Sequence, residues 1–254
     1  MRFQNRVMLV TGATSGMGRA CARRLAAEGA RVAAAGRRRE RLDQLAVELA
    51  ADGAEVLTLA GDVRDEATGV RWVRDTVARF GALDGLVNAA GVIGPGSAAD
   101  TPTAEWDRVM DSNLRSIFLL TRAAIPELAK RKGAIVNLSS VGGLRPYPNL
   151  VAYCVSKAGL DQLTRCTALD LAPLGVRVNA VNPGVVVTEL HTVTNAVPDY
   201  AGFLERSKTT HPIGRVGSAE EVASLILYLL SDDAGWITGV TYSIDGGRAL
   251  ASAR

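Results

Sequence analysis

Short apolar runs alternate with amphipathic stretches along almost the whole chain, and this alternation most restricts the fold. Strand-like runs fall at residues 6–10, 31–35, 56–60, 85–88, 134–138, 176–181 and 240–244. Stretches of helical period fall between them at 16–28, 39–51, 68–80, 103–132, 152–172 and 218–230. Gly29 and Gly81 stand where the first and third helices should stop, since glycine accepts the left-handed turn past a helix end. Ser218 and Glu221 have the spacing of a capping box. Strand and helix in turn, joined by short connections, make crossover units. Runs such as Val7-Met8-Leu9-Val10 and Ala134-Ile135-Val136 lack polar alternation, which suits strands covered on both faces. The expected fold is α/β: a doubly wound parallel sheet with helices on both faces. No linker, repeat or low-complexity tract divides the 254 residues, so they are expected to form a single domain.

Composition removes several function classes. The net charge is +3, and no Lys/Arg run is interleaved with aromatics, so no nucleic-acid partner is expected. No apolar stretch is long enough to span a bilayer, and the first residues lead directly into a strand-like run. No membrane partner and a cytoplasmic location are therefore expected. Cys21, Cys154 and Cys166 show no CxxC spacing, and His191 and His211 are isolated. Neither a disulfide framework nor a metal site is expected.

Ligand groups in such a sheet collect where strands end. The first strand runs into Thr11-Gly12-Ala13-Thr14-Ser15-Gly16-Met17-Gly18, and a helix follows. Glycines at this junction let the backbone approach a pyrophosphate, and the helix N-terminus adds aligned N–H donors. A Gly-rich turn also occurs with no ligand, so its place after the first strand matters. The second strand ends in Ala35-Gly36-Arg37-Arg38-Arg39, a stretch with no carboxylate to hold a ribose 2′-OH. An arginine fork suits a 2′-phosphate, whereas cations at a helix start oppose its dipole. Arg37 and Arg38 thus point to NADP(H) in preference to NAD(H). Asp62-Val63 ends the third strand and Asn88-Ala89-Ala90-Gly91 the fourth. The Asp62 carboxylate could accept from an adenine amino group, and the small residues could admit the adenosine.

Tyr153 and Lys157 are four apart on one helix face. A tyrosine with a pKa of about 10 is a poor acid–base catalyst near neutrality, and a neighbouring ammonium would lower it. The pair suits proton exchange with a carbonyl or alcohol, although Tyr-x3-Lys also occurs as an ordinary surface pair. Ser139 and Ser140 close the preceding strand, and either hydroxyl could meet a substrate oxygen. Asn113 interrupts an apolar helical stretch; its amide either caps an irregularity there or holds a water.

With these motifs in order, the chain resembles a classical short-chain dehydrogenase/reductase from Val7 to Gly247, a family with a Rossmann-type fold. The matches are Thr-Gly-x3-Gly-x-Gly at 11–18, Asn-Ala-Ala-Gly at 88–91, Asn113, Tyr-x3-Lys at 153–157, Asn-Pro-Gly at 182–184 followed by Thr188, and Asp-Gly-Gly at 245–247. The family serine lies thirteen residues before the tyrosine, which selects Ser140. The resemblance implies that Tyr153 is the acid–base and that Lys157 binds the nicotinamide ribose. It gives Ser140 the substrate oxygen and Asn113 a proton relay through a backbone distortion and a water. It places Val186 and Thr188 at the nicotinamide amide and phosphates, with Pro183 and Gly184 shaping the pocket. Many NADP-using members carry a basic residue where this chain has Ser15.

Substrate choice is expected from residues 94–98, 144–151 and 189–215, the last including a lid. Leu144, Tyr147, Pro148, Leu150 and Val151 indicate a partly apolar pocket, suited to a medium-sized or cyclic ketone. The chain is similar to 3-oxoacyl carrier-protein reductases, which have a basic residue near Arg131 and often another where Leu174 stands. Two other classes stay open: a non-catalytic NADP(H)-binding regulator, and a sugar-nucleotide epimerase relative, which usually needs a larger C-terminal domain. The resemblance implies a homotetramer packed through the two long helices and the C-terminal strand region.

Overall fold

The computed structural model describes residues 1–190 and 199–251. Seven strands form one sheet: β1 (Val7–Thr11), β2 (Arg31–Gly36), β3 (Val56–Ala60), β4 (Gly85–Asn88), β5 (Ala134–Leu138), β6 (Arg177–Pro183) and β7 (Thr241–Ile244). All pairings are parallel, in the order β3-β2-β1-β4-β5-β6-β7. The order reverses between β1 and β4, so a crevice opens beyond their carboxyl ends.

The helices are α1 (Gly16–Ala27), α2 (Arg39–Ala51), α3 (Glu66–Phe80), α4 (Thr103–Met110), α5 (Ser116–Arg131), α6 (Val151–Leu171), α7 (Tyr200–Thr210) and α8 (Ala219–Leu230). The predicted elements lie within two residues of these bounds, with two larger differences. Residues 103–132 are not one uniform helix: a π-helical turn, Asp111–Arg115, joins α4 to α5. Helix α7, within the expected lid, had no counterpart in the sequence reading; residues 191–198 of that segment lie outside the described residues. Helix α3 starts two residues early because the Asp65 carboxylate accepts from the N–H groups of Ala67 and Thr68. The capping box of Ser218 and Glu221 opens α8.

Side chains alternate across each strand and so feed two cores. Met8, Val10, Val32 and Ala34 pack with Leu25 of α1, Leu42 of α2 and Ile226 of α8. Val7, Leu9, Ala33 and Ala35 pack with Trp72 of α3, Leu120 and Leu128 of α5 and Leu171 of α6. With both faces covered, the strand ends are left to carry polar chemistry.

Candidate active site

The cleft at the carboxyl edge begins at the β1–α1 turn. Gly12 has φ +68°, and a Cβ there would lie 2.8 Å from the Ala89 carbonyl oxygen, so a side chain is excluded by backbone on both counts. Thr11 Oγ1 accepts from the N–H groups of Ala89 and Ala90 at 3.1 Å each and donates to the Val87 carbonyl at 3.3 Å. This hydroxyl ties the β1 and β4 ends together at the switch point, a role the sequence reading missed. Ser15 precedes α1 without a side-chain cap, and no acid stands in the first turn. The free N–H groups of that turn fit a bound phosphate.

This cleft has a volume of about 410 Å³. Gly12, Thr14, Ser15, Gly16, Met17 and Gly18 line one side, and Ala89 and Gly91 line it from β4. Arg37, Arg38, Asp62 and Val63 mark one part; Tyr153, Lys157 and Thr188 also line it. Asn88 is not among the lining residues. Its amide Nδ2 donates to Asn137 Oδ1 at 2.9 Å and Thr121 Oγ1 at 3.4 Å, tying β4 to β5 and α5. Its side chain is spent within the sheet, and Ala89, Ala90 and Gly91 line the cleft at this strand end. Pro183, Gly184 and Val186 line an adjoining cavity together with Thr188.

The arginines need a correction. The stretch Ala35 to Arg39 holds no acid, but the chain fold brings a carboxylate onto Arg38 from far along the sequence. Glu189, just beyond β6, lies 3.0 Å from Arg38 Nη1 and 2.7 Å from Arg41 Nη1. Hydrogen bonds from Arg41, then Arg38, hold its carboxyl below the usual carboxylate range, while partial burial opposes them. Arg38 Nη2 also donates to Thr14 Oγ1 at 2.9 Å and Ser15 Oγ at 2.7 Å, which fixes it over the glycine turn. Arg37 stays exposed. Asp62 accepts from Arg64 Nη2 at 2.7 Å, and this hydrogen bond is the main cause of its lowered pKa.

The chemical groups meet where β5 and α6 face each other. Ser140 Oγ accepts from Gly142 N–H at 3.0 Å, which leaves its own O–H to donate. A Cβ on Gly142 would lie 3.2 Å from Tyr153 Cε1 and 3.4 Å from Ser140 Oγ, so this glycine keeps the two side chains close. Ser139 instead donates to the Lys157 carbonyl at 3.3 Å. Lys157 is 4% exposed and donates from Nζ to the Leu138 carbonyl at 2.7 Å. Nζ lies 5.9 Å from the Tyr153 ring centre.

Asn113 sits in the π-helical turn, fully buried. Its Oδ1 accepts from Val92 N–H at 2.8 Å, and its Nδ2 donates to the Val92 carbonyl at 2.9 Å and to Ser156 Oγ at 3.1 Å. The irregularity expected at this residue is therefore present, and the amide clamps the chain beyond β4. Such single π turns recur at functional sites because they re-aim a group without ending the helix. Asp161, one turn after Lys157, was not singled out from sequence although the i+4 spacing was visible. It is 2% exposed and accepts from Asn182 Nδ2 at 2.9 Å; the same amide nitrogen donates to the Ser140 carbonyl at 2.9 Å. His211 is structural. Its Nε2 accepts from Val185 N–H at 3.1 Å while Nδ1 lies 2.6 Å from the Ser207 carbonyl, holding α7 against the end of β6.

Burial dominates the proton affinities. It pushes Tyr153 up to about 12, against a hydrogen bond with Ser140 that lowers it. It pushes Lys157 down to about 8, partly offset by the Asp161 charge. For Lys157 the folded value lies below the unfolded one, so between pH 8 and 10.5 the unfolded chain binds more protons and stability rises with pH. Lys157→Met should remove that rise. The unfolding free energy of the wild type minus that of the variant should increase across the window by roughly 3 kcal/mol. Urea melts at stepped pH check this, and a constant difference would contradict it.

Among the described residues, no group of three or more His, Cys, Asp or Glu is placed to hold a metal ion, and no helix is long and apolar enough to cross a membrane.

The chain is similar to known proteins over nearly its whole length. A family model described as Enoyl-(Acyl carrier protein) reductase matches residues 12–249. The levodione reductase of Leifsonia aquatica is 38% identical over 259 residues, covering 98% of this chain and 96% of that protein. The 3-oxoacyl-(acyl-carrier-protein) reductase of Thermotoga maritima is 38% identical over 251 residues, covering 98% of this chain and 100% of that protein. A cofactor-containing crystal structure of a short-chain dehydrogenase/reductase of unknown function from Caenorhabditis elegans superposes with a TM-score of 0.94 at 34% identity, covering 100% of this chain and 98% of that one.

Proposed function

The chain belongs to the classical short-chain dehydrogenase/reductase family, and on that premise we propose that it is an NADP(H)-dependent oxidoreductase interconverting a carbonyl and a secondary alcohol, with Tyr153 as acid–base. The observation that carries this is the position of Tyr153, which lines both the glycine-turn cleft and an adjoining cavity of about 290 Å³. Ser140 lines the adjoining cavity, Lys157 the cleft. A proton carrier thus stands between a cofactor-sized cleft and a largely apolar chamber.

The glycine turn, the uncapped start of α1 and the Arg37–Arg38 pair fit a dinucleotide with a 2′-phosphate. When bound, the nicotinamide would supply or accept the hydride. The Ser140 O–H, oriented by Gly142 N–H, would donate to the substrate oxygen. Tyr153 Oη would protonate that oxygen in reduction and accept its proton in oxidation. Lys157 would add the nearby positive charge that favours the phenolate, with Asn113 clamping the backbone at Val92 and Asp161 holding the Asn182 amide. Fixing the reactants and stabilising the developing oxyanion would supply most of the acceleration.

Of the residues expected to shape the pocket, Tyr147, Pro148 and Leu150 line the cavity; Leu144 and Val151 do not. Arg131 donates from Nε to Asp84 at 2.9 Å, which ties it to the fold and weakens the carrier-protein reading. Exposed Phe118 on α5, Val155 and Leu169 on α6 and the edge position of β7 support a homotetramer, and we place it in the cytoplasm.

The test is a panel of cyclic and linear ketones, followed by NADPH absorbance with NADH as control. Turnover with NADPH, and at least tenfold less with NADH, is the expected result. Absence of turnover across the panel would favour the non-catalytic regulator; equal use of NADH would reject the cofactor assignment.

A further inference from the structure

The cavity beside Tyr153 is walled mainly by neutral groups such as Ile93, Leu150, Val186 and Phe203. Arg248 is the one charged side chain among its described lining residues. It is carried there by the turn after β7, where Gly246 and Gly247 both have positive φ, 57° and 82°. Those values fold the chain back, and Arg248 N–H closes the turn on the Asp245 carbonyl at 3.0 Å.

The guanidinium is incompletely partnered. Its Nε donates to Tyr147 Oη at 3.2 Å, while Nη1 is buried with no hydrogen-bond partner. Among the described residues Asp245 forms no ion pair with it: its carboxylate accepts from Gly247 N–H at 3.0 Å and Ala249 N–H at 2.6 Å. Arg145 adds a second cation: its guanidinium lies 5.6 Å from the Tyr147 ring centre and that of Arg248 5.1 Å. Two guanidiniums thus share one aromatic ring, and neither is in an ion pair among the described residues. A buried, unpaired N–H on a cation is costly, and a planar oxyanion matches the guanidinium fork best.

We propose that Arg248 is a substrate-anchoring residue, and that the substrate is a ketone bearing a carboxylate remote from the reacting carbonyl. The carbonyl would lie at Ser140 and Tyr153 and the carboxylate at Arg248, with the apolar body between them. This rests on the oxidoreductase reading for the reaction, but the anion site can be measured without turnover.

The experiment titrates the wild-type protein with cyclohexanecarboxylate and with its neutral amide by calorimetry. The 4-oxocyclohexanecarboxylate and its methyl ester are then compared as substrates with NADPH. The carboxylate should bind about 10- to 100-fold more tightly than the amide, and the oxo-acid should exceed its ester in kcat/KM by a similar factor. Arg248→Gln should abolish both preferences while leaving the amide and ester within about threefold. Arg248→Lys, which keeps the charge, should retain part of the preference and controls for folding. Equal binding of carboxylate and amide by the wild type, or a preference that survives Arg248→Gln, overturns the proposal. Preferential carboxylate binding without turnover of any ketone supports the anion site and rejects the oxidoreductase reading instead.

Discussion

Tyr153→Phe should lower kcat at least about 10³-fold, with KM changed by less than about threefold. The substitution removes only the hydroxyl, so the ring still fills the junction of cleft and cavity. Acid–base groups contribute about 10² to 10⁴ in rate, and at 1.36 kcal/mol per tenfold the expected loss is about 4 kcal/mol of transition-state stabilisation. Because proton transfer belongs to the transition state, kcat and kcat/KM should fall together. A melting temperature equal to the wild type would show that the fold is intact. Steady-state kinetics with any ketone found active decide it: a rate within tenfold of the wild type would remove Tyr153 from the chemistry. Burial raises the Tyr153 pKa to about 12, which keeps the ring hydroxyl protonated near neutrality and able to donate in the reduction direction.

Arg38→Leu should lower kcat/KM with NADPH about 100-fold and change it less than threefold with NADH. A bidentate guanidinium–phosphate contact is among the stronger charge-assisted pairs, and Arg38 is already oriented by Thr14 and Ser15. Glu189 gives the complementary test. Its carboxylate holds Arg38 and Arg41 and would compete with a 2′-phosphate for the same donors. Glu189→Gln should therefore lower the KM for NADPH several-fold, with no change for NADH. Equal losses with both cofactors in Arg38→Leu would assign that residue to shaping the turn, not to reading the phosphate.

Most of the architecture was legible because it follows from local periodicity. The seven strands and the major helices could be placed from apolar runs and their stops, and the capping box at Ser218 formed as its spacing requires. The π-helical turn was only hinted at, by an amide inside an apolar stretch. Its hydrogen-bond shift depends on Val92 and Ser156, 21 and 43 residues away, and no local pattern encodes such partners. Helix α7 escaped because its few apolar positions give no clear stripe; His211, at its end, reaches Val185 across 26 residues.

The site divides in the same way. Glycines at fixed offsets, Tyr153 and Lys157 one turn apart and small residues at the β4 end are short-range patterns, and the residues themselves dictate what those patterns can do. The long-range pairings belong to the tertiary structure. It turned Asn88 into the sheet, brought Glu189 onto Arg38 from 151 positions away, set Asp161 beneath Ser140 through Asn182, and returned Arg248 from beyond the last strand to the cavity. Sequence alone determined the alternation that builds the sheet and the groups available at its edge. Only the folded chain decided which of those groups face the cleft and which are spent on one another, because burial and charge pairing act through space between residues far apart along the chain.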